Sequence, residues 1–261
     1  MRLVLSALLA CCAALPCAAQ EAPSSGGLHG QIAAGPGIAP DYDGSDDVRA
    51  IPLVFGDLRV GDITVELRGL RGRVDLMADP RLSAGPVIGP RLDRGDVDGP
   101  VGLLPEIDMA VEAGIFAGYR FGGNALGQGA VQLEVTALHD VSQVHDGLLV
   151  TGTASYAALR TGDTFVSLDA QTTWASADYT RTYFGVLPAD AVRSGLAAYD
   201  PSAGFRDVGA GLSVGHYFSR HWGVIGRVGA NYLVGDPADS PITEDGRRWQ
   251  PLGGIALSYR F

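Results

Sequence analysis

Two groups of residues in this chain are of types that do chemistry. The first is Asp41-Tyr42-Asp43-Gly44-Ser45-Asp46-Asp47, a segment whose four carboxylates could present oxygen ligands to calcium. Its spacing is not that of an EF-hand loop, whose glycine comes later. The plainer reading is a solvated loop that meets divalent ions among lipid head groups, and no metal ligands are assigned. The second group is His29, His139, His145, His216 and His221. His139-Asp140 and His145-Asp146 sit in one predicted loop, and several serines could act as nucleophiles if the fold brought them near. Nothing in the spacing selects a Ser-His-Asp triad, which is recognised by geometry rather than by sequence position. Hydrolysis of a lipid therefore ranks third among the readings below. No catalytic residue, cofactor-binding residue or cofactor is predicted.

The elements that would position these groups are strands, and the last of them is the most legible. Trp249, Pro251, Gly253, Ile255, Leu257, Tyr259 and Phe261 alternate with Gln250, Leu252, Gly254, Ala256, Ser258 and Arg260. One face is apolar and ends on two aromatics, where no later residue can cover it. Lipid is the simplest cover, so the run is expected to be the closing strand of a transmembrane β-barrel. Tyr259 and Phe261 are then expected to act as membrane-boundary anchors and as part of the signal read by the barrel-assembly machinery.

The same period-two pattern recurs along the chain. Ile107, Met109, Val111, Ala113, Ile115, Ala117, Tyr119 and Phe121 are expected to face lipid, opposite Asp108, Glu112, Gly114, Gly118 and Arg120. Val131, Leu133, Val135 and Ala137 alternate with Gln132, Glu134 and Thr136, and further runs start at Val166 and Trp222. About twelve strands result. Short turns near residues 61, 78–80, 122–124, 161–163 and 219–221 alternate with connections at 38–47, 69, 91–105, 139–147, 176–206 and 235–248, five of which are long. This is the asymmetry of an outer-membrane barrel, with short periplasmic turns and longer outer loops.

The expected inward set is Glu66, Arg68, Arg71, Arg73, Asp75, Asp108, Glu112, Arg120, Glu134, Asp169, Arg227 and Arg260. Because it is mixed in sign, these charges must pair or be hydrated. Twelve strands enclose a lumen between that of small filled barrels and wide porins, so a narrow channel and a salt-bridged plug are both open.

The N-terminus carries Met1-Arg2, an apolar stretch and then Cys17-Ala18-Ala19, the pattern of a secretory signal peptide over residues 1–19. A Pro/Ser/Gly-rich periplasmic linker is expected at 20–27 and the barrel at 28–261. All three cysteines, Cys11, Cys12 and Cys17, lie in the leader, which leaves no disulfide or thiolate metal site in the mature chain. The positive charge is all arginine, 19 against 29 acidic residues, and a net charge of −10 argues against nucleic acid as a partner.

Several short motifs carry a resemblance. Pro40-Asp41-Tyr42-Asp43-Gly44-Ser45, Tyr179 with Tyr183-Phe184-Gly185-Val186, Tyr199-Asp200-Pro201-Ser202-Ala203-Gly204, Gly235-Asp236 through Ser240-Pro241, and the terminal Tyr259-Arg260-Phe261 are similar to stretches of the MltA-interacting protein/OmpV family of Gram-negative outer-membrane proteins. The resemblance implies an outer-membrane barrel. It also implies, for the best-known member, a scaffold linking a peptidoglycan-cleaving transglycosylase to a peptidoglycan synthase, and it brings no catalytic residues.

The resulting expectation is an all-β chain, a transmembrane antiparallel up-and-down barrel in the outer membrane. Its partners would be outer-membrane lipid, the assembly machinery and a periplasmic peptidoglycan hydrolase and synthase. The first reading is a non-enzymatic adaptor in envelope maintenance, the alternative a narrow channel for small solutes, and the third a barrel lipid hydrolase.

Overall fold

Residues that alternate apolar and polar can bury neither set as a helix, but as strands they present each set to a different medium. The computed structural model describes residues 29–261; the predicted signal peptide and linker lie outside the described residues. Twelve strands form: β1 (His29–Pro40), β2 (Val48–Val60), β3 (Ile63–Arg68), β4 (Arg71–Asp75), β5 (Leu82–Arg91), β6 (Ala110–Gly122), β7 (Ala130–Asp140), β8 (Leu148–Arg160), β9 (Thr164–Ala175), β10 (Gly204–Tyr217), β11 (Trp222–Leu233) and β12 (Trp249–Arg260). Each pairs antiparallel with its sequence neighbours, and β12 closes on β1 through Ile32↔Tyr259 and Ala34↔Leu257. Closure satisfies the backbone polar groups along the paired stretches of the strands, as a bilayer interior favours.

The faces fall as the alternation predicts. Ile115, Leu133, Val135, Leu168, Val228, Ile255 and Leu257 are exposed on the outside, while Glu112, Gln250 and Ser258 are buried toward the lumen. Aromatics gather at the two rims: Trp222, Tyr259 and Phe261 at the short-turn end, Tyr232 against Trp249 at the other. These are the girdles expected at membrane–water interfaces.

Three expectations need correction. The strand beginning at Ile107 begins instead at Ala110, because Ile107 is buried in the preceding connection, where it pairs with Arg94. Asp108 therefore leaves the lumen set. The lumen face is also less polar than predicted, since Val87, Phe116 and Leu138 form a buried inward cluster and the Arg73 guanidinium lies 4.1 Å from the Phe116 ring centre. Finally, the long connections contain helices: α1 (Ala177–Phe184), α2 (Pro188–Ser194), α3 (Gly235–Ala238) and α4 (Pro241–Asp245). None exceeds about two turns, too short for a 3.6-residue period to show in the sequence.

Candidate functional site: a capped chamber

The outer connections fold onto one another instead of projecting. Tyr179, Tyr183 and Phe184 of α1 pack with Ile107, Leu149, Ala175, Leu233 and Ala238, and beside them Tyr42, Val101, Leu104, Val186 and Ile242 form a second buried cluster. Polar side chains splice the loops: Ser240 Oγ donates to the Phe184 carbonyl at 2.7 Å, Tyr199 OH to the Asp236 carbonyl at 3.0 Å, and the Ser202 N–H to Asp236 Oδ2 at 2.7 Å. Gly44 needs its left-handed φ of 103°, and its N–H donates to Gln250 Oε1 on β12.

The motif residues singled out in the sequence are therefore cap residues. Tyr42, Ser45, Tyr183, Phe184, Pro201, Ser240 and Pro241 are buried in it. Pro40 ends β1 and Gly204 begins β10. Gly185 follows α1, and Gly235 and Asp236 open α3. Tyr259 and Phe261 lie at the opposite rim, exposed to the membrane side.

Beneath the cap sits a network of charges. Asp43 accepts hydrogen bonds from Tyr179 OH and from Arg206 Nη1, which also donates to Tyr179 Oη at 2.8 Å, and Arg206 is paired with Asp207. Arg91 joins Asp43 at 3.7 Å to both oxygens of Glu112, and Arg71 Nη2 shares one of them, Oε2, at 3.2 Å. The loop of residues 141–147 is shaped by Asp140, whose carboxylate accepts from the N–H groups of Ser142, Val144, His145 and Asp146. That places His145 with Nδ1 accepting from the Gly147 N–H, so Nε2 carries the proton, 3.6 Å from Glu112.

The electrostatics favour an ionised Asp43 and neutral tyrosines. Burial pushes the Asp43 carboxyl up, but Arg206 and Arg91 with the Tyr179 hydroxyl outweigh it and hold it below its ordinary value. Burial raises the Tyr179 phenol well above its ordinary value and raises Tyr183 as well, so both remain neutral donors. The result is a network of paired charges beneath the cap, with Tyr179 and Tyr183 as neutral donors.

Lower in the lumen, Arg73 bridges Glu66 and Glu134 at 2.8 Å each and Arg227 pairs with Asp169 at 2.8 Å, while Phe55 and Phe165 pack against Ala33, Ile225 and Ala256. The sequence placed Glu66, Arg71, Arg73, Glu112, Glu134, Asp169 and Arg227 on the correct face. It missed Arg91, Arg206 and Asp207, which stand where strands pass into loops and alternation fades. Arg120, a member of the expected inward set, has no carboxylate partner among the described residues and is exposed near the short-turn end.

The chemistry first suggested by residue type is otherwise engaged. Asp41 binds Arg49, Asp43 binds the network, and Asp46 and Asp47 point to solvent, so the loop's oxygens do not converge. Among the described residues no group of three or more His, Cys, Asp and Glu is arranged to hold a metal ion. His139 contacts the Gly147 carbonyl, His216 the Thr164 hydroxyl and His221 the Arg260 carbonyl; no histidine ring is hydrogen-bonded to a serine among the described residues.

Comparison with known proteins gives one family match: the model of MltA-interacting protein MipA covers residues 32–261. No curated protein matches. Among solved structures, the COG4313 outer membrane channel from Pseudomonas putida F1 aligns at 13% identity over 95% of this chain and 98% of its own, with a TM-score of 0.43. OmpT of Vibrio cholerae aligns at 12% identity over 84% of this chain and 67% of its own, with a TM-score of 0.36.

Proposed function

Because the chain belongs to the MltA-interacting protein MipA family, and is thus an outer-membrane β-barrel, we propose that it serves as a non-enzymatic adaptor that holds peptidoglycan-remodelling proteins at the membrane. The observation that favours this reading is the stack of buried loops and paired charges along the lumen. A channel needs a continuous hydrated path, whereas this barrel stacks an apolar loop cap, the Asp43–Arg206–Arg91–Glu112 network and the Glu66–Arg73–Glu134 bridge along its axis. Each layer pairs its carboxylates with arginines, which lowers the cost of holding those charges inside the barrel. What such a barrel offers is an anchored surface.

The family match supports one partner class: a peptidoglycan-cleaving transglycosylase of the kind for which the family is named, together with a peptidoglycan synthase. Both would meet the periplasmic rim. The longest turns there among the described residues are 76–81 and 123–129.

The test has two arms. Purified protein in a planar bilayer is expected to show no steady conductance, and a pull-down from detergent-solubilised envelopes is expected to recover a peptidoglycan hydrolase or synthase. Steady, ion-selective current from the unaltered protein would replace the adaptor with the narrow-channel alternative. Recovery of neither enzyme class would remove the partner assignment.

A further inference from the structure

The barrel is closed by register, but its wall is not of uniform height. The β3–β4 hairpin is short: β2 pairs with β3 only from Phe55↔Arg68 downward, with one more bond from the Gly69 N–H to the Val54 carbonyl. On the other side β4 pairs with β5 only at Gly72↔Ile88 and Arg73↔Val87. Residues 48–53 of β2 and 89–91 of β5 therefore have no strand partner on the sides that face each other. Six residues of β2 make a free edge of about 20 Å, and β2 and β5 are separated by the two short strands, about 14 Å at the usual spacing.

Both lips are built to stay unpaired. Pro36 stands opposite Pro52, and since neither has an N–H, this cannot be a hydrogen-bonded pair; Pro52 must turn its nitrogen and carbonyl away from β1, toward the gap. Pro90 opposite Val111 is in the same position with respect to β6. Each lip has thus lost a donor on its free side, the usual protection of an edge against strand addition. A second copy of the chain is a poor occupant for that reason.

The gap lies in the lipid-facing wall. Val48, Ala50 and Pro52 are exposed on one lip and Ile88 on the other. Its upper end is latched, because Arg49 on β2 donates through Nη1 to Asp93 Oδ1 at 2.7 Å and through Nη2 to the Asp93 carbonyl at 2.8 Å. Its floor carries Arg71, the first residue after the hairpin turn. The Arg71 side chain crosses Gly89, where an added Cβ would lie 2.5 Å from Arg71 Cγ, and it is 39% exposed. Its one side-chain bond is the 3.2 Å contact to Glu112, so Nε and Nη1 have no partner among the described residues.

We propose that this gap is a lateral port that admits the acyl chain of a single-chain, carboxylate-headed amphiphile from the membrane, with Arg71 binding the head group. The apolar lips suit the chain. One guanidinium with free donors suits a singly charged planar head group, which it can engage bidentately. With the axial route capped, the ligand enters from the side.

The probe is palmitate carrying a mid-chain diazirine, photolysed with the full-length protein refolded in phosphatidylcholine vesicles, with adducts mapped by peptide mass spectrometry. Adducts are expected to concentrate on residues 48–54 and 86–91. Arg71→Gln should lower them about tenfold, the equivalent of one charge-assisted bond, and Ala50→Trp, which fills the lip from outside, should lower them without touching Arg71. Heat-modifiable migration establishes that each variant is folded. Adducts spread evenly around the apolar belt, equal labelling by the corresponding neutral alcohol, or equal labelling of the gap by a diazirine phosphatidylcholine would each overturn the proposal. Full labelling of folded Arg71→Gln would do the same.

Discussion

The two ends of this barrel are built on different principles. At the short-turn end, strands are joined by as few as two residues, and order comes from aromatics such as Trp222, Tyr259 and Phe261 set against the membrane boundary. At the other end, five long connections contribute side chains to shared buried clusters and to one ionic network, so order comes from packing between segments far apart in sequence. A bilayer can hold a rim in place, but above the membrane a long loop must find protein to bury against. The cap is in effect a small globular core built on a membrane scaffold.

That contrast predicts where damage will be severe. Glu112→Ala should have the largest effect, because it leaves Arg91 and Arg71 without their buried carboxylate; a loss of about 3–5 kcal/mol is expected, read from urea unfolding of the refolded barrel. Equal stability to wild type would mean that the network is not what holds the cap to the wall. Next come the lipid-facing positions. Val111→Arg and Leu133→Arg should each cost up to roughly 2–4 kcal/mol if near the midplane, while Gln132→Arg, on the lumen face, should cost little. Similar losses on both faces, in the same unfolding assay, would reject the register.

Tyr179→Phe keeps the ring packed against Tyr183 and removes only the hydroxyl shared by Asp43 and Arg206. A loss of roughly 1.5–3 kcal/mol is expected, with the tyrosine cluster otherwise intact by near-ultraviolet circular dichroism. The smallest effect concerns pH. Asp43 is held below its ordinary value of 3.8 in the folded cap, so its contribution is complete above that value and is lost as the pH falls through the lowered folded value. Pepsin, which works in acid, should therefore begin to cleave residues 176–203 as the pH drops through this window. Asp43→Asn should be cleaved to the same extent across it. A wild-type cleavage rate flat in pH would show that another group governs the cap.

The wall was legible in the sequence because a strand's faces alternate locally. Val111 and Glu112 are sorted by their neighbours alone, and the structure puts them outside and inside as read. The cap was not legible in the same way. Its bonds join Asp43 to Tyr179 and Arg206, and Arg91 to Glu112, across separations that no local period records. Ile107 shows the limit: it fits the alternation of the following strand, yet it is covered by folded loops rather than by lipid. The acidic segment 41–47 is the reverse case. Its composition suggested a cation site, and the cations it found were the guanidinium groups of Arg49, Arg91 and Arg206.

The splicing of the outer connections also determines what a neighbouring cell, a phage or an antibody meets. Tyr199 holds the segment 234–248, Ser240 holds α1, and Gly44 is tied to β12, so the visible surface is a mosaic whose adjacent tiles come from distant parts of the chain. A reagent raised against the folded protein should thus recognise a discontinuous epitope. Synthetic peptides copying single loops should compete poorly for it, and boiling in detergent should erase it along with the barrel.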